Sequence, residues 1–104
     1  MSKGSIHGQF RRAIEAGNVM SAIALAHDTP LPLPLVDALE LCRLLAETED
    51  PLFPRAASRW LARFSDEERA TLSQVQLAAA AFGHLWEEPQ AVAPLQTLRA
   101  LIGR

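Results

Sequence analysis

The sequence predicts an all-α protein, and three observations predict it: composition, helical periodicity, and punctuation by proline and glycine. Alanine occurs 18 times and leucine 16 times among the 104 residues, whereas tyrosine is absent and glycine occurs only 5 times. Alanine and leucine are strong helix formers, and 49% hydrophobic residues is too many for a disordered chain. We therefore expect a single helical domain over residues 1–104, with residues 1–5 flexible.

Two short helices are predicted first. Apolar residues recur at helical spacing over about 5–16, and Gly17 follows at a position where helices commonly end in a left-handed residue. Asn18 can cap a second helix that extends to about His27. The next segment, 28–34, has the sequence DTPLPLP and should be extended, because proline disfavours a helical conformation in the residue before it.

The third and fourth predicted helices carry the strongest apolar patterns. The third, about 34–48, is apolar over most of its circumference, so we expect it to be central and contacted on two sides. The fourth ends near Phe64, and its apolar positions have the clearest helical period of the chain: Phe53, Ala56, Ala57, Trp60, Leu61 and Phe64.

The fifth helix has two candidate beginnings. Ser65 with Glu68 can form one capping box and Thr71 with Gln74 another. Either one helix covers 66–86, or a turn precedes a helix that starts near residue 71, which we prefer. Its predicted buried face comprises Leu72, Val75, Ala79, Phe82 and Trp86. Pro94 should begin or kink the sixth helix, because proline is tolerated only in the first turn.

The helices are expected to pair as three antiparallel hairpins, either helical-repeat-like or as a compact orthogonal bundle. A shift of 38 positions aligns Leu39 with Leu77 and Trp60 with Leu98, which favours a repeated unit. Residues 13–18, AIEAGN, followed by Ala22 and Pro30, resemble the turn and second helix of a tetratricopeptide repeat. The resemblance covers about residues 10–30, with a shorter second helix, and implies a scaffold that binds a peptide or protein.

Few residues are arranged for chemistry. The histidines, His7, His27 and His84, lie on different predicted elements, and Cys42 lies on an apolar face where a buried, inert thiol is expected. Acidic residues at 66–68 and 87–88 are expected to complement helix N-termini rather than to act as acid and base. Nucleophile elbows, glycine-rich phosphate loops and zinc-binding HExxH motifs are absent from the sequence. We expect no enzyme, no catalytic or metal-ligating residues and no cofactor.

The most specific polar feature is a stripe of Arg55, Arg59 and Arg63. Four-residue spacing places the three side chains on one helical stripe, where they can bind an acidic partner or form a solvated face paired with Glu47 or Glu67. Arg11 and Arg12 can extend the stripe if the first helix packs nearby.

A second resemblance gives the alternative function. Residues 72–78 and 94–101 resemble the opening and closing stretches of a phage-repressor-type helix-turn-helix domain, which implies nucleic-acid binding, with Arg55, Arg59 and Arg63 as the basic side chains. The interval between the two stretches is short, and in place of a recognition helix it contains the acidic sequence HLWEEP. Acidic side chains disfavour contact with DNA phosphates.

The sequence therefore favours a non-enzymatic protein-interaction module or small assembly subunit over a nucleic-acid binder. The net charge of −2 argues against a general nucleic-acid or anionic-membrane ligand, so we expect a protein partner, which can be a second copy of the chain. Leu31, Leu33, Leu52 and Leu85 have no obvious place in the core and supply apolar surface for such a contact. A single cysteine and no signal-peptide pattern predict a cytoplasmic protein.

Overall fold

The computed structural model describes residues 5–103, and the all-α prediction is confirmed. Its six helices are α1 (Ile6–Glu15), α2 (Val19–Asp28), α3 (Leu35–Glu47), α4 (Phe53–Glu67), α5 (Leu72–Glu87) and α6 (Ala93–Ile102). The expected flexibility of residues 1–5 falls outside the described residues except at Ser5, whose hydroxyl accepts a hydrogen bond from the Gly8 N–H and caps α1.

The helices pack as three hairpins in series. The most extensive contacts join α1 with α2, α3 with α4, and α5 with α6. The first and third hairpins, both described in full, have no Cα atoms within 8 Å of each other, and both pack on the middle hairpin. The α3 helix touches all five others, which confirms its predicted central position. The molecule is accordingly elongated, with extents of 46 × 28 × 21 Å.

Several predicted helix ends are confirmed. Gly17 follows α1 with φ +72°, the left-handed conformation that glycine adopts without strain. The Asn18 side chain accepts from the Ser21 N–H at 3.1 Å and caps α2. Thr71 and Gln74 form the expected capping box at the start of α5. Pro94 lies in the first turn of α6.

The end of α4 differs from its prediction. The helix continues beyond Phe64 to Glu67, so Ser65 and Glu68 do not cap a following helix. Arg69 then takes φ +49°, and the Ala70 N–H donates to the Ser65 carbonyl, which closes the helix with a left-handed turn. The acidic residues at 66–67 therefore lie in a last turn, and those at 87–88 end α5. The expectation that these carboxylates complement helix N-termini is wrong.

The buried face of α5 also differs from its prediction. Its buried residues are Ala78, Ala81, Phe82 and Leu85. Of the predicted face only Phe82 is buried, whereas Leu72 is 74% exposed and Trp86 38% exposed. The buried face is thus rotated toward the alanine side of the helix.

The core of the α3–α6 region is built around Trp60. Its ring is 2% exposed, stacks on Phe64 at 5.2 Å between ring centroids, and meets the edge of Phe82 at 5.3 Å. Its indole N–H donates to the Leu35 carbonyl at 2.9 Å, so one side chain links α4 to α3 and α5. A smaller core under α1 and α2 contains Phe10, and α3 contributes to both cores.

None of the described helices has both the length and the apolar character needed to cross a membrane.

Candidate functional site

A groove of about 650 Å³ lies above α3, with α2 on one side and α4 on the other. Both flanking helices pack on α3, yet no Cα of α2 lies within 8 Å of a Cα of α4, although both helices are described in full. Of the α3 side chains between them, Ala38 and Leu41 are partly exposed, whereas Cys42 and Leu45 are 2% exposed. The extended segment that joins α2 to α3 adds to the wall on the α2 side.

The groove has an apolar floor. Ala38, Leu41, Cys42 and Leu45 of α3 form it. Leu41 and Cys42 each lie three or four residues from both Ala38 and Leu45, as one face of a helix requires. The walls are also mainly apolar, with Ile23 and Ala26 from α2, Pro32 and Leu33 from the extended segment, and Leu52, Ala56 and Trp60 from the α4 side. The five polar lining residues are His27, Arg55, Arg59, Arg63 and Glu67.

The arginine stripe predicted from the sequence forms the α4 edge of this groove. Arg55 and Arg59 are exposed, and no described carboxylate lies within 4.0 Å of their guanidinium nitrogens. Arg63 instead donates to Glu67, with 2.8 Å between Nε and Oε2 and 3.4 Å between Nη2 and Oε1. The free positive charge is thus concentrated at the Arg55 and Arg59 positions.

The other residues considered with the stripe lie elsewhere. Glu47 pairs with Arg43, from Nη1 to Oε2 at 2.8 Å, so of the two carboxylates expected as partners only Glu67 reaches the stripe. Arg11 and Arg12 are exposed on α1, which packs on α2 and α3 and not on α4, and neither lines the groove.

A network of charges lies on another side of α3. Glu40 accepts from Arg43 at 2.9 Å and from Arg99 of α6 at 2.7 Å. Partial burial raises the pKa of Glu40, but the hydrogen bonds and charges of the two arginines outweigh burial and hold the pKa below its usual value. This network joins the second hairpin to the third and leaves no free charge toward the groove.

Cys42 is buried in the groove floor at 2% exposure, as its apolar surroundings predicted. Burial raises the pKa of the Cys42 thiol to about 12, because the thiolate would lose its hydration. The thiol is therefore protonated near neutral pH and is a poor nucleophile.

Two histidines form isolated pairs with carboxylates. His7 lies 2.7 Å from Asp37, a buried carboxylate in the first turn of α3, and links α1 to α3. His84 lies 2.8 Å from Glu88, four residues on, a helical pairing overlooked in the sequence. Among the described residues, no group of three or more His, Cys, Asp or Glu is placed to hold a metal ion.

Residues 72–101, whose two ends resemble a helix-turn-helix domain, fold as a hairpin of two helices. The α5 helix is continuous from Leu72 to Glu87, and residues 88–92 connect it to α6. No separate helix occupies the interval between 78 and 94, where the resemblance requires a recognition helix to enter a DNA groove.

Sequence reasoning identified the arginines but missed most of the groove. The apolar residues of α2 and α3 that line it were assigned to helix faces in general, with no sign that α2 and α4 stand apart. The four leucines that had no expected place in the core indicated the groove in part, since Leu33 and Leu52 line it. Leu31 is 75% exposed, and Leu85 is fully buried in the core, contrary to expectation.

Comparison of the chain with protein-family models, curated proteins and solved structures found no match. The likeness of residues 10–30 to a tetratricopeptide hairpin stays a prediction. The function is therefore argued from the groove itself.

Proposed function

We propose that this protein is a non-enzymatic protein-interaction module, or a small subunit of an assembly, whose protein partner binds in the groove between α2 and α4. The observation that carries the proposal is a mainly apolar groove with a partly exposed floor, beside two arginines, Arg55 and Arg59, that have no ion-pair partner among the described residues. Partly exposed apolar side chains in a groove gain free energy when a partner covers them, and charged side chains at the rim orient that partner.

The chemistry of the groove supports binding rather than catalysis. Its one thiol, Cys42, has a pKa of about 12 and is buried. Its one carboxylate, Glu67, is held by Arg63. A cytoplasmic partner is part of the proposal, because a fold whose single cysteine is a free thiol does not need an oxidising compartment.

The test compares two alanine-to-glutamate variants in affinity purification from source-cell lysate. Ala38→Glu puts a charge on the apolar floor, and we expect it to release the bound protein, because an apolar partner would have to bury an uncompensated carboxylate. The matched control is Ala80→Glu on the exposed side of α5, away from the groove, and it should retain the partner. Circular dichroism melts should show that both variants remain folded.

Each outcome of this comparison is informative. A partner that Ala38→Glu retains as well as the unmodified protein does would show that the groove is not the binding surface. Light scattering identifies a second copy as the partner if it finds a dimer that Ala38→Glu dissociates. Nuclease treatment and a salt-dependent DNA mobility shift test the alternative, because material retained only through nucleic acid would contradict the protein-interaction proposal.

A further inference from the structure

The shape of the groove restricts the kind of segment that can occupy it. Its floor and walls are helical side chains, most of them apolar, and the described elements include no sheet edge to which an extended strand could add. An extended segment buried there would leave its backbone N–H and C=O groups without partners, which is costly. A helix satisfies its own backbone hydrogen bonds and needs only an apolar stripe to lie against the floor.

The charges of the groove restrict which face of that helix lies toward α4. Arg55 and Arg59 are four residues apart on one helix, so they are separated by about 6 Å along its axis. Two carboxylates at positions i and i+4 of a helix lying alongside α4 have the same separation. Arg63 does not add to this site because Glu67 already accepts from it. Glu67 itself would repel further acidic residues near that end of α4.

We propose that the groove binds an amphipathic α-helix whose apolar stripe covers Leu41 and its neighbours and whose acidic residues, four positions apart, pair with Arg55 and Arg59. This proposal rests on the proposed function, since it names the partner of the same groove. It adds that the partner segment is helical and acidic on one flank.

The test uses three labelled synthetic peptides of equal length with the same leucine stripe, and measures their dissociation constants by fluorescence anisotropy. The first carries glutamates beside the stripe, the second carries lysines at the same positions, and the third is the glutamate peptide with a central proline that prevents a continuous helix. We expect the glutamate peptide to bind the unmodified protein at least about tenfold more tightly than either of the others. Lysines replace two charge attractions at the rim with two repulsions, and the proline breaks the helix that carries the stripe.

Charge reversal of the protein supplies the matched control. The double variant Arg55→Glu, Arg59→Glu should weaken binding of the glutamate peptide at least about tenfold and strengthen binding of the lysine peptide, because the charge at the groove edge has changed from positive to negative. The double variant Arg11→Glu, Arg12→Glu makes the same change in net charge on α1, outside the groove, and should alter neither constant by more than about threefold. Salt should weaken binding of the glutamate peptide to the unmodified protein.

Three results would overturn the proposal: equal binding of the glutamate and lysine peptides, absence of binding by both, or undiminished binding of the proline peptide. These failures are separable from a failure of the proposed function. If Ala38→Glu releases the cellular partner while the peptides show no preference, the groove binds a protein by other chemistry. If Ala38→Glu releases nothing, the groove is not the interaction surface at all.

Discussion

Replacement of Trp60 tests the packing on which the groove depends. The ring is 2% exposed, and a buried tryptophan removes roughly 250 Å² at most from water, of which alanine recovers little. At about 25 cal/mol per Å² the lost burial alone is about 6 kcal/mol, an upper figure because the unfolded chain is partly compact. Measured tryptophan-to-alanine changes in protein cores cost about 3–5 kcal/mol, so we expect Trp60→Ala to lower the free energy of unfolding by this amount.

A second variant separates the hydrogen bond from the packing. Trp60→Phe keeps an aromatic ring against Phe64 and Phe82 but removes the N–H that donates to the Leu35 carbonyl. The expected cost is about 1–2 kcal/mol, from one hydrogen bond and a smaller ring. This variant should stay folded even if Trp60→Ala, in a domain whose total stability is about 5–15 kcal/mol, does not.

Urea denaturation followed by far-UV circular dichroism measures both changes. The slope of free energy against urea should stay constant, since the surface exposed on unfolding is nearly the same. A loss below about 1 kcal/mol for Trp60→Ala would refute the reasoning, because so small a cost is typical of an exposed side chain. Trp60 would then belong to the binding surface rather than to the core.

Three further variants test local features of the fold. Thr71→Ala should cost about 1 kcal/mol by removing the α5 capping box, whereas Ser73→Ala, an exposed hydroxyl two residues on, should be nearly neutral in the same urea experiment; equal effects would contradict the capping role. Arg69→Gly should stabilise the protein by roughly 0.5–1 kcal/mol, because glycine adopts the left-handed φ of +49° without strain; an unchanged midpoint would show that the turn relaxes instead. Cys42 should make the free energy of unfolding fall at high pH, because its pKa rises from 9.0 to about 12 on folding. The stabilisation that the protonated thiol provides is complete below pH 9 and is lost as the pH rises above 9, by about 1.4 kcal/mol at pH 10. Parallel pH dependence in Cys42→Ala would exclude this thiol as the cause.

Most of the secondary structure could be predicted because short-range chemistry determines it. Proline at 30, 32 and 34 interrupts helix formation whatever the tertiary surroundings, and glycine at 17 provides a left-handed residue where α1 ends. The end of α4 was missed for the converse reason. Arg69 takes a left-handed φ without being glycine, so the sequence carries no local signal for that turn.

The buried face of α5 shows where pattern alone is ambiguous. With alanines at 78–81, several rotations of the helix expose similar amounts of apolar surface, and the helical period through Leu72, Phe82 and Trp86 indicated the wrong one. In the structure, buried residues of α3 match buried residues of α5 at a shift of 39: Leu39 with Ala78, Cys42 with Ala81, and Ala46 with Leu85. Which rotation is buried depends on the helices that pack on α5 rather than on the pattern of α5 alone.

The candidate site was predictable only on the α4 side. Four-residue spacing placed Arg55, Arg59 and Arg63 on one stripe, but whether a helical charge stripe faces open solvent or a groove depends on elements distant in sequence. The ion pair of Arg63 with Glu67 was among the expected alternatives, since the two residues are four apart on one helix.

The segment between α2 and α3 forms part of the groove wall and is longer than the connection before it. A three-residue turn joins α1 to α2, whereas residues 29–34 form an extended connection of twice that length whose three prolines limit its conformations. Because those prolines restrict the unfolded chain as well, the long connection costs less conformational entropy than a flexible one would. After this connection α2 lies beside α3 with no Cα within 8 Å of a Cα of α4, so Ala38 and Leu41 of α3 stay partly exposed between the two helices, where a partner helix can cover them.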